Sequence, residues 1–209
     1  SFVADGRMAA SIEGRGAAFL MPRFAAFFLL FLASACTVPP SVHKAEDAAR
    51  FLSLSPDSLG RSVSLSQLVT GEYDGRTYRM RYEIDITPER LAIVGLSPLG
   101  LTLFTLTQEG GKRPVVVQMS NQAAFDPRHV LFDLYITYWP RKTLQAALAP
   151  LSMQLDENVD GSVRRIRAMS GEPIAQILYP PRDDDEKSGI VIQHFDFPYR
   201  LRIVTLSGP

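Results

Sequence analysis

The sequence is poor in the residues that carry covalent and metal chemistry. It has one cysteine, Cys36, and three histidines, His43, His129 and His194, among 209 residues. One cysteine forms no disulfide within the chain, so the fold must rest on packing and hydrogen bonds. The histidines fall in an extended stretch, near a helix start and in a strand, without metal-ligand spacing, and read as surface or incidentally paired residues. No Gly-x-Ser-x-Gly, phosphate-cradling glycine loop or dinucleotide fingerprint occurs. Ser41-Val42-His43-Lys44 has the Ser-x-x-Lys spacing of some acyl enzymes but stands without their partner motifs. The acidic run Asp183-Asp184-Asp185-Glu186 lacks the spaced ligands and glycine of a calcium loop and reads as a solvated hairpin tip. No catalytic residue, metal or cofactor is therefore expected, and an enzyme is not. The formal charge is +0, which excludes the basic field that a nucleic-acid partner needs.

Long apolar runs are also missing. The strongest is in Met21 to Cys36, MPRFAAFFLLFLASAC, too short for the roughly 20 residues that span a bilayer core. Arg23 precedes the apolar run from Phe24 to Leu32, and Ala33, Ser34 and Ala35 lead into the cysteine. This is the layout of a secretory signal peptide. Ending on cysteine, it resembles the bacterial lipoprotein signal, with Ala33 where that pattern usually has Leu. The resemblance implies cleavage before Cys36 and a palmitate-type acyl anchor on it. The alternative is an ordinary signal peptide with an incidental cysteine. Residues 1–20 read as an upstream extension or vector-derived sequence, 21–35 as the signal and 36–61 as a tether with a possible short helix. Residues 62–209 read as one β domain.

Within 62–209 the period is mostly two. Val63, Leu65, Gln67 and Val69 alternate up to Asp74-Gly75, a pair favoured in tight hairpins. Tyr78, Met80, Tyr82, Ile84 and Ile86 then alternate with Thr77, Arg79, Arg81, Glu83 and Asp85, the pattern of a half-buried antiparallel strand. Further strands are expected at 90–94, 101–107, 113–119, 152–156, 163–169, 173–179, 189–196 and 199–206. Between them Asp126-Pro127 offers an N-cap and a first helical residue, and Val130, Leu131, Leu134, Tyr135 and Tyr138 recur at helical spacing. A second helix follows Pro140, with Leu144, Ala147, Leu148 and Leu151 on one side. The expected fold is mainly β, a curved antiparallel sheet or incomplete barrel with two short central helices as lid or plug. Met80, Tyr82, Ile84, Leu101, Leu103, Ile174, Ile177, Ile190, Ile192, Leu201 and Ile203 are candidates for its interior, whether that is a dry core or a cavity.

This order of features resembles the periplasmic lipoprotein carriers LolA and LolB. Ser97-Pro98-Leu99-Gly100-Leu101 is similar to the Pro-Leu-Gly loop of LolB. Tyr138-Trp139-Pro140 and Tyr199-Arg200-Leu201-Arg202-Ile203 resemble a Gram-negative outer-membrane lipoprotein family of no settled activity, whose genes often accompany aryl-polyene or fatty-acid-like biosynthesis genes. The resemblance implies a cavity for acyl chains, with Met80, Tyr82, Ile84, Leu101, Leu103, Ile177, Ile192 and Leu201 as ligand-binding candidates and Leu99 as a membrane contact. It implies a lipid or acylated ligand and attachment through Cys36 to the outer membrane, facing the periplasm. A structural or assembly lipoprotein binding another envelope protein is the alternative. Cys36→Ser should release the protein from membranes or leave it unprocessed, read by membrane fractionation; unchanged attachment would contradict the anchor.

Overall fold

The computed structural model describes Ala48 and residues 52–118, 126–181, 189–196 and 199–208. All belong to the second of two units of the chain, Val42–Pro209; the first is Ser1–Ser41. Cys36, His43, the Ser-x-x-Lys pattern and the Asp183 to Glu186 run lie outside the described residues.

The alternating segments are strands: β1 (Val63–Tyr73), β2 (Arg76–Ile86), β3 (Arg90–Leu96), β4 (Thr102–Glu109), β5 (Val115–Gln118), β6 (Met153–Glu157), β7 (Val163–Ala168), β8 (Pro173–Leu178), β9 (Ile190–His194) and β10 (Tyr199–Ser207). They form one open antiparallel sheet in the order β5-β4-β3-β2-β1-β10-β9-β8-β7-β6. Every neighbour is a neighbour in sequence except where β1 meets β10. Asp74 and Gly75 both have positive φ, 49° and 69°, as the tight β1–β2 turn requires. Met80, Tyr82, Ile84 and Ile86 of β2 are buried while Arg79, Arg81 and Asp85 on the other face are exposed, so the period-two pattern sets the inner face.

The register slides steadily across the sheet. The row Arg79–Thr70–Arg202–Val191–Leu178–Val163 begins near the first residues of β2 and ends on the first residue of β7, which lies at the opposite end of the sheet. Such stagger is what tilted strands need in order to curl. The curl closes on helix α1 (Arg128–Tyr138). Arg128 N–H donates to Asp126 Oδ1 at 3.0 Å, and Pro140 follows the last turn. Val130 to Thr137 are all buried, as befits a helix apolar on most sides. Neighbouring residues of α1 reach distant strands: Tyr135 hydroxyl donates to Gln108 of β4 at 2.8 Å, while Ile136 carbonyl accepts from Arg164 of β7 at 2.9 Å. In a flat sheet those strands would stand about 34 Å apart at about 4.8 Å per strand. One helix about 10–12 Å across cannot bridge that gap. The sheet must wrap it.

Helix α1 is thus the plug. Helix α2 (Arg141–Leu148) buries Leu144 and Leu148 and lies beside β6, whose Leu155 N–H donates to Gln145 Oε1 at 2.8 Å. That bond occupies a backbone donor of an edge strand. The 36–61 tether requires correction. Leu52, Leu54 and Leu59 are buried in the core, the last in a 3₁₀ turn (Pro56–Leu59), and Trp139 Nε1 donates to Ser58 Oγ at 2.9 Å. Residues 52–60 belong to the body because three leucines find apolar partners there. The interior placement of Leu101 also needs correction: it is 66% exposed, in the β3–β4 turn just before the strand pattern begins.

The β3–β4 register shifts at Gly95, opposite Phe104, and a Cβ at residue 95 would come within 2.2 Å of that ring. Phe104 is fully buried and cannot swing away. Gly95→Ala should cost about 1–3 kcal/mol by overpacking, seen as a lower urea midpoint at unchanged m-value; an equal midpoint would show that the ring has room.

Candidate functional site

Six polar side chains are buried among the described residues, Gln67, Gln108, Asp133, Thr137, Arg164 and His194. Asp133 and Thr137 are on α1, and the other four bond to it, so the sheet's buried polarity converges on this helix. At its C-terminal end, Arg164 Nη1 donates to the carbonyls of Ile136 (2.9 Å) and Trp139 (3.1 Å). These are carbonyls of the last turn, which have no partner within the helix, and a cation suits that end of the macrodipole. The guanidinium is itself held by Glu157 at 3.0 Å. Tyr179 hydroxyl donates to Thr137 carbonyl at 2.7 Å, and Gln67 Nε2 to Tyr138 hydroxyl at 2.5 Å. Burial pushes the Tyr179 phenol up to about 12, against the opposing pull of Arg164, so it keeps its proton at neutral pH.

At mid-helix, Tyr135 bonds to Gln108 and to Leu54 carbonyl, and Gln108 Nε2 donates to the same carbonyl at 3.0 Å. Two residues earlier, at the midpoint of α1, Asp133 sits on the face toward β9 and β10. His194 Nε2 lies 2.7 Å from Asp133 Oδ1, and Tyr199 hydroxyl is 3.0 Å from both carboxylate oxygens. Burial, and then the charge of Asp133, hold the Tyr199 phenol well above its ordinary range, so it donates. A carboxylate only accepts, which puts a proton on His194 Nε2 as well. The two rings stack with centroids 4.1 Å apart. His194 is 1% exposed, so no substrate reaches the nitrogen that Asp133 already occupies. The cluster ties α1 to β9 and β10. Among the described residues no group of three or more His, Cys, Asp or Glu could hold a metal ion.

A cleft of about 950 Å³ opens at the end of the curled sheet where α1 finishes. Its walls include Val163, Leu178, Tyr179, Pro180, Pro181, Ile190, Ile203 and Val204, and among the described residues lining it Asp160 is the one that carries a charge. Of the sequence-derived candidates, Met80, Tyr82, Ile84, Leu103, Ile177 and Ile192 are buried in one cluster with Leu131, Phe132, Tyr135 and Ile136 of α1. Leu201 packs against that cluster half-buried. Ile190 and Ile203 reach the cleft. Leu99 is 88% exposed at the tip of the turn, far from both. Sequence reasoning missed Asp133, Arg164 and Gln108. The available signal was an acid inside an apolar helix, which is affordable only when the fold supplies donors.

The family model DUF3261, described as a protein of unknown function, matches residues 64–207. This chain belongs to the DUF3261 family. The expected membership of a family without a settled activity is borne out. Among solved structures, the DUF3261 chain is similar to a LolA superfamily protein from Nitrosomonas europaea, at 9% identity, covering 79% of this chain and 90% of that one, with TM-score 0.45. It is similar to a DUF1329 family protein from Desulfovibrio piger, at 8% identity over 79% and 90% of the two chains, with TM-score 0.44. A domain from Vibrio parahaemolyticus named for outer membrane lipoprotein sorting is 4% identical over 80% and 91%, with TM-score 0.40. No curated protein matches the chain.

In this DUF3261 protein, Asp133→Leu strands two buried donors and should cost about 3–5 kcal/mol. Tyr199→Phe removes one bond and should cost about 1 kcal/mol. Urea unfolding of both variants and the double mutant should show coupling between them; strict additivity would mean that the two groups do not share one network.

Proposed function

We propose that this is a non-catalytic lipoprotein of the bacterial envelope, anchored through Cys36 to the outer membrane on its periplasmic side. It binds an apolar acyl- or polyene-type chain, free or on a lipoprotein, and meets the membrane through Leu99. The observation that carries the reading is the cleft of about 950 Å³, whose size falls in the range of small-molecule sites and whose described lining is mostly apolar. Apolar contact alone suffices for such a ligand. Burying eight methylenes at about 0.8 kcal/mol each gives about 6 kcal/mol, a dissociation constant on the order of 10 µM before ordering costs. Ile177, Ile192 and Leu201 lie further along the strands that line the cleft, in or against the buried cluster they share with α1.

The dense packing around α1 favours a second reading, an assembly lipoprotein whose surface binds another envelope protein. Titration of the purified full chain with a fluorescent long-chain fatty acid separates the two. Binding in the micromolar range is expected. Ile190→Trp, which fills the cleft from a half-buried position, should weaken it at least tenfold with a melting temperature within about 3 °C, since half-buried sites lose little stability. Absence of binding by the unaltered chain, or unchanged binding by Ile190→Trp, would remove the ligand reading and leave the assembly one.

A further inference from the structure

Charge is unevenly spread over the outer face of the sheet. Where β2, β1 and β10 lie side by side, the registers set nine outward residues in three rows, Arg81–Leu68–Val204, Arg79–Thr70–Arg202 and Thr77–Glu72–Arg200. All nine are exposed or half-buried. Thr70 is at the centre with Arg79 and Arg202 on either side, their backbones about 10 Å apart at two strand spacings. Arg81 and Arg200 stand at opposite corners. Four arginines against Glu72, and against Glu83 at the edge, which holds Arg81 at 2.8 Å, leave a net +2 on a chain whose formal charge is +0. Arg79 and Arg200 form no ion pair with a described residue. The outward residues of β3, β4 and β5, by contrast, carry one charge of each sign, Arg90 and Glu109, which lie opposite each other.

This cationic block shares a residue with the cleft. Val204, at one of its corners, also lines the cleft, and Arg202 is the next outward side chain on the same strand, about 7 Å away. Leu178, another lining residue, stands two strands from Arg202 in the row Arg202–Val191–Leu178–Val163, which is apolar beyond the arginine. Asp160 is in the β6–β7 turn, three strands away from β10. An anion at the mouth of the cleft is thus drawn toward β10 and repelled from the far margin. Salt screens charges beyond about 8 Å, so the arginines nearest Val204 decide this.

We infer that the ligand of the cleft is an anionic amphiphile, with its carboxylate or phosphate head on Arg79, Thr70 and Arg202 and its chain running past Val204 and Leu178 into the cleft. This rests on the apolar-chain binding proposed above and adds the head that the chain carries. Guanidinium groups suit it, because their planar forks bond two oxygens of a carboxylate or phosphate at once, and the Thr70 hydroxyl adds a donor between them. A planar anionic membrane fits less well. The outer face of a sheet that wraps a helix is convex and meets a plane along a strip, whereas a single head needs only the residues around Thr70.

The test is displacement of a fluorescent long-chain fatty acid from the full chain with Cys36→Ser, so that no anchor lipid competes. Laurate, dodecyl phosphate and dodecanol share one chain and differ in the head. Both anions should bind about tenfold tighter than dodecanol, the worth of two charge-assisted contacts at an exposed site; the tighter of the two names the head. Arg79→Gln combined with Arg202→Gln should remove that advantage and leave the dodecanol constant unchanged. Both positions are exposed, so the melting temperature should hold. Should the double variant unfold, raising salt from about 0.05 to 0.5 M on the chain with both arginines gives a second measure, since screening should shrink the anions' advantage and spare dodecanol. Equal constants for the three competitors, or an advantage that survives the substitutions, would overturn the head site and leave the cleft ligand of the proposed function standing. An advantage that survives while the double variant loses flotation with phosphatidylglycerol vesicles would make the face a membrane contact instead. No binding of the probe and no binding of any competitor would overturn both readings.

Discussion

Burial of α1 is the constraint from which the rest follows. A helix enclosed on nearly every side needs partners for the polar groups it carries, because an unpaired buried donor or acceptor costs about 1–3 kcal/mol; the Thr137 hydroxyl is buried without one, and the other buried polar side chains of the helix are matched. The sheet supplies the partners from β1, β4, β7, β9 and β10, which is to say from both halves of the ladder. Strands that far apart in a flat sheet converge only if the sheet curls. Curl, the position of the buried arginine and glutamines, and the docking of residues 52–60 are thus one solution to one problem. The enclosing strands supply the apolar contacts that reward it.

An open curled sheet leaves two edges, and they are treated differently. Edge strand β6 gives Leu155 N–H to a side chain of α2, so the second helix serves the edge more than the core. Edge strand β5 is only four residues long, with Val115 and Val117 facing outward. Shortness is itself a defence against edge pairing. The one long-range strand pairing, β1 with β10, joins the first strand to the last and holds the two meanders as one sheet. It carries the largest entropic cost of loop closure of any pair in the sheet.

What the sequence made legible were the features written locally. Alternation in 76–86 marked β2 and its inner face; Asp74-Gly75 marked the turn; Asp126-Pro127 and Pro140 marked helix limits to within a few residues. The exposed Leu99 followed from its place between Pro98 and Gly100. What stayed illegible depended on distance along the chain. Asp133 and His194 are 61 residues apart, and Gln67 and Tyr138 are 71 apart. Nothing in either local pattern announces the partner. Leu101 was misplaced because an apolar residue next to a strand continues the alternation by eye while the backbone has already turned. Residues 52–60 were misjudged because Pro56, Gly60 and intervening serines look like linker composition. Leu52, Leu54 and Leu59 decide otherwise only once a core exists to receive them.

The filled interior changes what a binding site in this fold must be. Had the inner face of β2 and β4 lined an empty barrel, Met80, Tyr82 and Leu103 would be the natural walls for an acyl chain. They are buried instead, in one cluster with Phe132 and Tyr135 of α1. Withdrawing the helix would expose that apolar surface and also break the bonds of Asp133, Tyr135, Arg164 and Gln67 together. No single ligand chain, contributing about 0.8 kcal/mol per methylene, replaces both terms cheaply. A chain that leaves α1 in place must lie where the strands run out. Strands β8 and β9 stop at Leu178 and Ile190 while β10 continues to Ser207. The step between them is the cleft, so the same register stagger that lets the sheet wrap its helix also makes the opening beside it.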